Sequence, residues 1–118
     1  MQSYKIETNK SVKSNEFVLL ELDTPIQSLD RLTSVVAKGE CASNIMIEYR
    51  YSHDGNIWSE WVSWPTWEVK PGELTWFGFR VKSDTSWTFT GLEIEWTGGE
   101  LLGDCKCSVI KYSEDSFL

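Results

Sequence analysis

The amino-acid sequence predicts an all-β chain folded as an antiparallel β-sandwich. Three observations carry this. Residues 45–52 (IMIEYRYS) and 74–82 (LTWFGFRVK) each split their side chains between two faces with a period of two, as strands with one buried face do. Turn signals recur between apolar runs, at Asp54-Gly55, Pro71-Gly72 and Gly98-Gly99. Helical signal is confined to one stretch, residues 25–38. Short strands separated by turns, with at most one helix, define a sandwich.

The chain has 118 residues, of which 41% are hydrophobic and 14% aromatic, enough for one domain with a real core. Residues 16–112 read as that single domain. Residues 1–15 read as a flexible arm, with only Tyr4, Ile6 and Val12 to anchor it, and residues 113–118 (SEDSFL) as a frayed end.

Residues 17–22 (FVLLEL) form a nearly continuous apolar run that suits a strand buried on both faces. In residues 25–38, Thr24 could cap a helix that Pro25 begins and Gly39 ends, with Ile26, Leu29 and Leu32 at helical spacing. Thr33, Val35 and Val36 are β-branched and favour a strand. A short turn at 25–29 followed by a strand over about 30–37 is the preferred reading, and a single helix the alternative.

Residues 45–67 (IMIEYRYSHDGNIWSEWVSWPTW) are the organising stretch. Ile45, Ile47, Tyr49 and Tyr51 share one face of a strand; Met46, Glu48, Arg50 and Ser52 share the other. Asp54-Gly55 supplies the positive φ of a hairpin turn. The return strand is expected to start at Ile57. It carries Trp58, Trp61, Trp64 and Trp67, a period of three that no flat strand can bury on one face. Pro65 forbids a ladder bond at its position, so the strand must bulge or end near Ser63. Trp64 and Trp67 should then leave the sheet in a loop and be the most exposed of the four.

Residues 74–82 follow as a strand with Phe77, Phe79 and Val81 on one face. Residues 87–96 (WTFTGLEIEW) shift phase at Gly91, which predicts a β-bulge there. A last strand is expected near 105–112.

Charge narrows the function. Eighteen acidic and eleven basic residues leave a net charge of −7, which predicts neither nucleic acid nor anionic membrane as a partner. No apolar run reaches the roughly 20 residues of a membrane span, and the polar N-terminus is no secretory signal. Cys41, Cys105 and Cys107 are an odd set, read as small buried thiols rather than a disulfide framework. The lone histidine, His53, sits in a turn, so no metal site and no cofactor are expected. Its neighbours Ser52 and Asp54 are too close in sequence to form a catalytic relay, and nothing singles out a carboxylate pair. No enzyme is expected.

A tryptophan buries about 200 Å², so most of the seven belong to the core. Exposed ones could serve as a platform for a sugar ring or a protein partner. Trp64, Trp67 and Arg50 are the candidate binding residues.

YRYSHDGNIWSEW resembles the strand–turn–strand signature of discoidin (coagulation-factor C-type) domains, in which an aromatic strand precedes Ser-x-Asp-Gly-x-x-Trp. Here those positions are Tyr49, Tyr51, Ser52, Asp54, Gly55 and Trp58, and FGFRVK and LEIEW follow in the same order. The resemblance spans roughly residues 17–97 and implies a galactose-binding-like jelly roll of eight strands, whose end loops bind sugars, lipids or proteins. The chain is shorter than a typical member and lacks the terminal disulfide. WSEW also resembles the WSxWS box of cytokine-receptor fibronectin type III domains, but there the box closes the domain.

These readings lead to an expected non-catalytic structural or interaction module that binds other protein subunits. An acidic sandwich that starts at Met without an export signal suits a phage virion part: tail, baseplate or capsid decoration. The alternative is a carbohydrate-binding module that takes a glycan on exposed tryptophans.

Overall fold

Strand β8 (Trp87–Gly98) sits between two partners and carries much of the core. The computed structural model describes residues 2–103 and 107–112. In chain order the other strands are β1 (Gln2–Val12), β2 (Phe17–Leu22), β3 (Ile26–Gln27), β4 (Leu29–Glu40), β5 (Met46–Ser52), β6 (Val62–Ser63), β7 (Leu74–Lys82) and β9 (Cys107–Tyr112). They form two sheets with antiparallel ladders. One has the order β1-β8-β4; the other runs β6-β5-β7-β2-β9, with β3 also paired to β7. The described residues hold no helix. The chain is an antiparallel β-sandwich.

The alternation read from sequence explains the core. Trp87, Phe89, Leu92, Ile94 and Trp96 of β8 join Val18, Leu20 and Leu22 of β2, Tyr49 of β5, and Phe77, Phe79 and Val81 of β7 in one buried cluster. Each such side chain contributes about 1.5–3 kcal/mol by leaving water. Phe17 and Leu19 of β2 are also buried, but outside that cluster, so this strand is covered on both faces as its apolar run requires.

Gly91 marks the phase change in β8. Against β4 the ladder steps from Lys38↔Gly91 to Gly39↔Phe89, leaving Thr90 unopposed. Against β1 it shifts between Glu7 and Lys10. A Cβ on Gly91 would stand 2.5 Å from the Ile6 carbonyl oxygen, so only glycine allows β1 to approach here.

Four expectations are corrected. Residues 2–12 are no loose arm: they pair along β8 as β1, with Ile6 and Val12 buried. The central strand of a three-stranded sheet needs a second neighbour, and the sparse apolar residues of β1 suffice for an edge. The strand expected over 30–37 is present within β4, because Leu32 and the β-branched Val35 face the core at strand spacing, and the helix alternative fails; the turn expected at 25–29 is narrowed to Ser28, between the short strand β3 and β4. The connecting residue, Ser28, takes a left-handed φ of 51°. Cys41 is an exposed free thiol rather than a buried one, in the loop after β4 with a φ of 67°. The side chains of Cys105 and Cys107 lie outside the described residues. Finally, no return strand starts at Ile57. Of residues 57–67, only Val62 and Ser63 form a ladder with β5, opposite Tyr49 and Glu48.

Candidate functional site

Strand β5 is gripped from both sides by the chain that follows it. The Trp58 and Trp61 rings lie over its outer face, against Arg50. Residues 62 and 63 pass along its edge as β6. Residues 64–70 return over its inner face. The tryptophan period of three is thereby resolved: Trp58 and Trp61 go to the outer face, Trp64 and Trp67 to the inner one.

On the inner face, alternate side chains of one stretch hold the backbone of another. The Tyr49 hydroxyl donates to the Thr66 carbonyl at 2.8 Å and accepts from the Glu68 N–H at 3.0 Å. Burial pushes the Tyr49 pKa above its ordinary value, so the hydroxyl keeps the proton it donates. The Tyr51 hydroxyl makes longer contacts, to the Glu68 carbonyl at 3.3 Å and from the Lys70 N–H at 3.4 Å. The His53 ring nitrogens lie 2.8 and 2.9 Å from the carbonyl oxygens of Leu74 and Lys70. A Cβ on Gly72 would stand 2.5 Å from that ring, so the glycine lets it lie flat on the loop. Residues 66–70 alternate outward and inward, with Trp67 and Val69 packed on the core. They behave as an extended segment whose backbone bonds go to side chains instead of a partner strand. Tyr49 also meets the rings of Trp64, Trp67 and Phe77 at centroid distances of 6.3, 5.9 and 6.1 Å.

On the outer face, rings and cations alternate. The Arg50 guanidinium lies between Trp58 at 4.8 Å and Trp61 at 4.9 Å. Arg80 lies between Trp61 and Phe17, each at 4.5 Å, and Lys82 covers Phe17 at 5.1 Å. Each such contact is worth about 0.5–2 kcal/mol. Arg50 donates to Glu21 and Arg80 to Glu48, both at 2.8 Å. Gly78 lies beneath the first pair. It stands between Arg50 on β5 and Glu21 on β2, and without a side chain it leaves Arg50 room to cross the sheet.

The two faces meet at the loop 53–59. Asp54 Oδ1 accepts from the N–H groups of Asn56 and Ile57, both at 2.8 Å, and from the Ser52 hydroxyl at 3.0 Å. These bonds hold the carboxyl below its ordinary pKa. Gly55 has a φ of 79° and rests on the Trp76 ring. The loop closes where Ser59 N–H donates to the Tyr51 carbonyl at 2.9 Å. Ile57 stands at its tip, 77% exposed. Beside it an open depression of ≈ 390 Å³ is lined by Tyr51, His53, Asp54, Trp58 and Ser59, among others.

The structure therefore separates the residues expected to bind together. Arg50 is on the outer face, sandwiched and ion-paired. Trp64 and Trp67 are on the inner face, half-buried against the core, with Arg31 5.9 Å over Trp67. They leave the sheet in a loop after Ser63, as Pro65 suggested, but that loop is not exposed at its tryptophans: the chain folds inward onto Tyr49. Asp54 and Gly55 do form the turn, as a closed loop instead of a two-residue hairpin. The Ile57 tip was missed, although an isoleucine two residues after Asp-Gly was a readable signal once no strand followed. Among the described residues, no group of three His, Cys, Asp or Glu side chains could hold a metal ion.

No protein-family model, curated protein or solved structure gives a significant match to this chain.

Proposed function

We propose that the chain is a non-catalytic interaction module, a structural part of a phage virion such as a tail, baseplate or capsid decoration. In this reading it docks another protein subunit through the tip of the 53–59 loop. One observation carries the docking: Ile57 is 77% exposed on a loop that internal hydrogen bonds hold in shape. A large apolar side chain on a rigid tip loses little entropy when it is covered. The virion setting is an association between this kind of acidic sandwich and assembled particles.

The depression beside Ile57 supports a second reading, a carbohydrate-binding module. It brings the Trp58 and Tyr51 rings together with His53 and Asp54, and flat rings flanked by polar groups suit a sugar.

A photo-reactive residue at position 57 separates the two readings. In particles from the producing host it should cross-link to a different protein subunit. Absence of the chain from particles, or of any protein adduct, would contradict the docking. Retention of the purified chain on a polysaccharide column, lost with Trp58→Ala, would establish the carbohydrate reading instead.

A further inference from the structure

Strand β1 is an edge strand, and its charges are arranged to match themselves. It lies at the end of the order β1-β8-β4, and among the described residues no strand pairs with Lys5, Ile6 and Glu7 on the side away from β8. Such an edge offers unpaired N–H and C=O groups to another strand.

Charges of opposite sign run across this sheet toward that edge. Lys38 on β4 is bound to Glu93 on β8 at 3.0 Å, and Lys5 on β1 stands directly opposite Glu93. Lys38 and Lys5 together hold the Glu93 carboxyl below its ordinary pKa. The next charge on β1 is Glu7. Its cross-strand neighbour is Gly91, which has no side chain to pair with it.

We infer that two copies of this chain associate edge to edge through β1, antiparallel about a two-fold axis at Ile6. In that register Lys5 faces Glu7 of the partner, and Glu7 faces Lys5 of the partner. The alternation Lys38, Glu93, Lys5 thus gains an acidic fourth member from the second copy. Residues opposed in an antiparallel ladder project to the same face, so a two-fold pairing must centre on a residue. Centring on Lys5 sets lysine against lysine. Centring on Glu7 sets glutamate against glutamate. Centring on Tyr4 leaves both charges without a counterpart. The centre at Ile6 alone makes two opposite-charge pairs. The irregularity between Glu7 and Lys10 bounds the ladder, so the contact is short and the dimer reversible. This edge is independent of the Ile57 loop.

Sedimentation of the purified chain over a concentration series up to about 1 mM tests the pairing. The native chain should form a dimer. Lys5→Glu alone and Glu7→Lys alone should each weaken self-association by about tenfold or more, because every opposite-charge pair becomes a like-charge pair. Mixing the two variants in equal amounts should restore the dimer, since one copy then carries two lysines and the other two glutamates. Circular dichroism on each variant alone should match the native spectrum. A native chain that stays monomeric throughout would overturn the inference. So would a Glu7→Lys variant that self-associates like the native chain, or folded variants whose mixture stays monomeric.

Discussion

The two faces of β5 are held by different chemistry, although the same short stretch of chain covers both. On the inner face, neutral hydroxyls and a ring nitrogen bind backbone groups of residues 66–70, and the tryptophans join the core. On the outer face, charged side chains lie between aromatic rings and pair with carboxylates. The inner grip stands in for a missing strand: it bonds peptide groups of residues 66–70 that pair with no ladder, and it buries the Tyr49 ring among Trp64, Trp67 and Phe77. The outer grip bonds peptide groups of β5 only at Ser59, which meets the Tyr51 carbonyl and N–H; the rest is ring–cation contact and ion pairing, and the partly exposed Arg50–Glu21 pair is of a kind worth about 0–1 kcal/mol. The inner face should therefore dominate stability, and the outer face should set the position of the loop that carries Ile57.

The largest effect is expected from Tyr49→Ala. It removes a fully buried ring that touches Trp64, Trp67 and Phe77, together with two backbone bonds. Urea unfolding should show a loss of about 3–5 kcal/mol.

Arg50→Ala is expected to cost less, about 1–2 kcal/mol, because it removes two ring contacts and a half-exposed ion pair. Arg50→Lys should recover part of the loss, since the charge remains but the flat stacking surface does not. If Arg50→Ala equals Tyr49→Ala in urea unfolding, the ranking of the two faces fails.

Asp54→Ala should have the smallest effect, and it should depend on pH. The native carboxyl titrates below its usual value of 3.8, held down by N–H donors and the Ser52 hydroxyl. A lowered native pKa means stability that is complete above the unfolded value and lost as pH falls through the native one. The variant should thus be less stable than the native chain at neutral pH, and the gap should close in acid. Thermal melts at several pH values would show it, and a gap that widens in acid would contradict the carboxylate role.

The strands were legible because each writes its buried face at every second residue. Tyr49 with Ile47, and Phe77 with Phe79 and Val81, needed only that rule. The Gly91 bulge was legible because a glycine sits at the phase change. The wrap around β5 was not. Its tryptophans repeat every three residues because the chain changes face between Trp61 and Trp64, and no periodicity rule describes a crossing. Strand β1 was hidden for another reason. An edge strand takes its bonds from its neighbour, so Tyr4, Ile6 and Val12 sufficed where a central strand would have needed a continuous apolar run. The Ile57 tip was obscured by the expected return strand, which would have turned that residue into the sheet.

Amide hydrogen exchange on Glu68 and Lys70 tests the inner grip most directly. Neither residue belongs to a strand, yet their N–H groups donate to the hydroxyls of Tyr49 and Tyr51. Both amides should be protected in the native chain, Glu68 more strongly because its bond is shorter. In Tyr49→Phe the protection of Glu68 should fall while the β5–β7 ladder keeps its own. If both amides exchange as freely as an exposed loop in the native chain, residues 64–70 do not grip β5 as described.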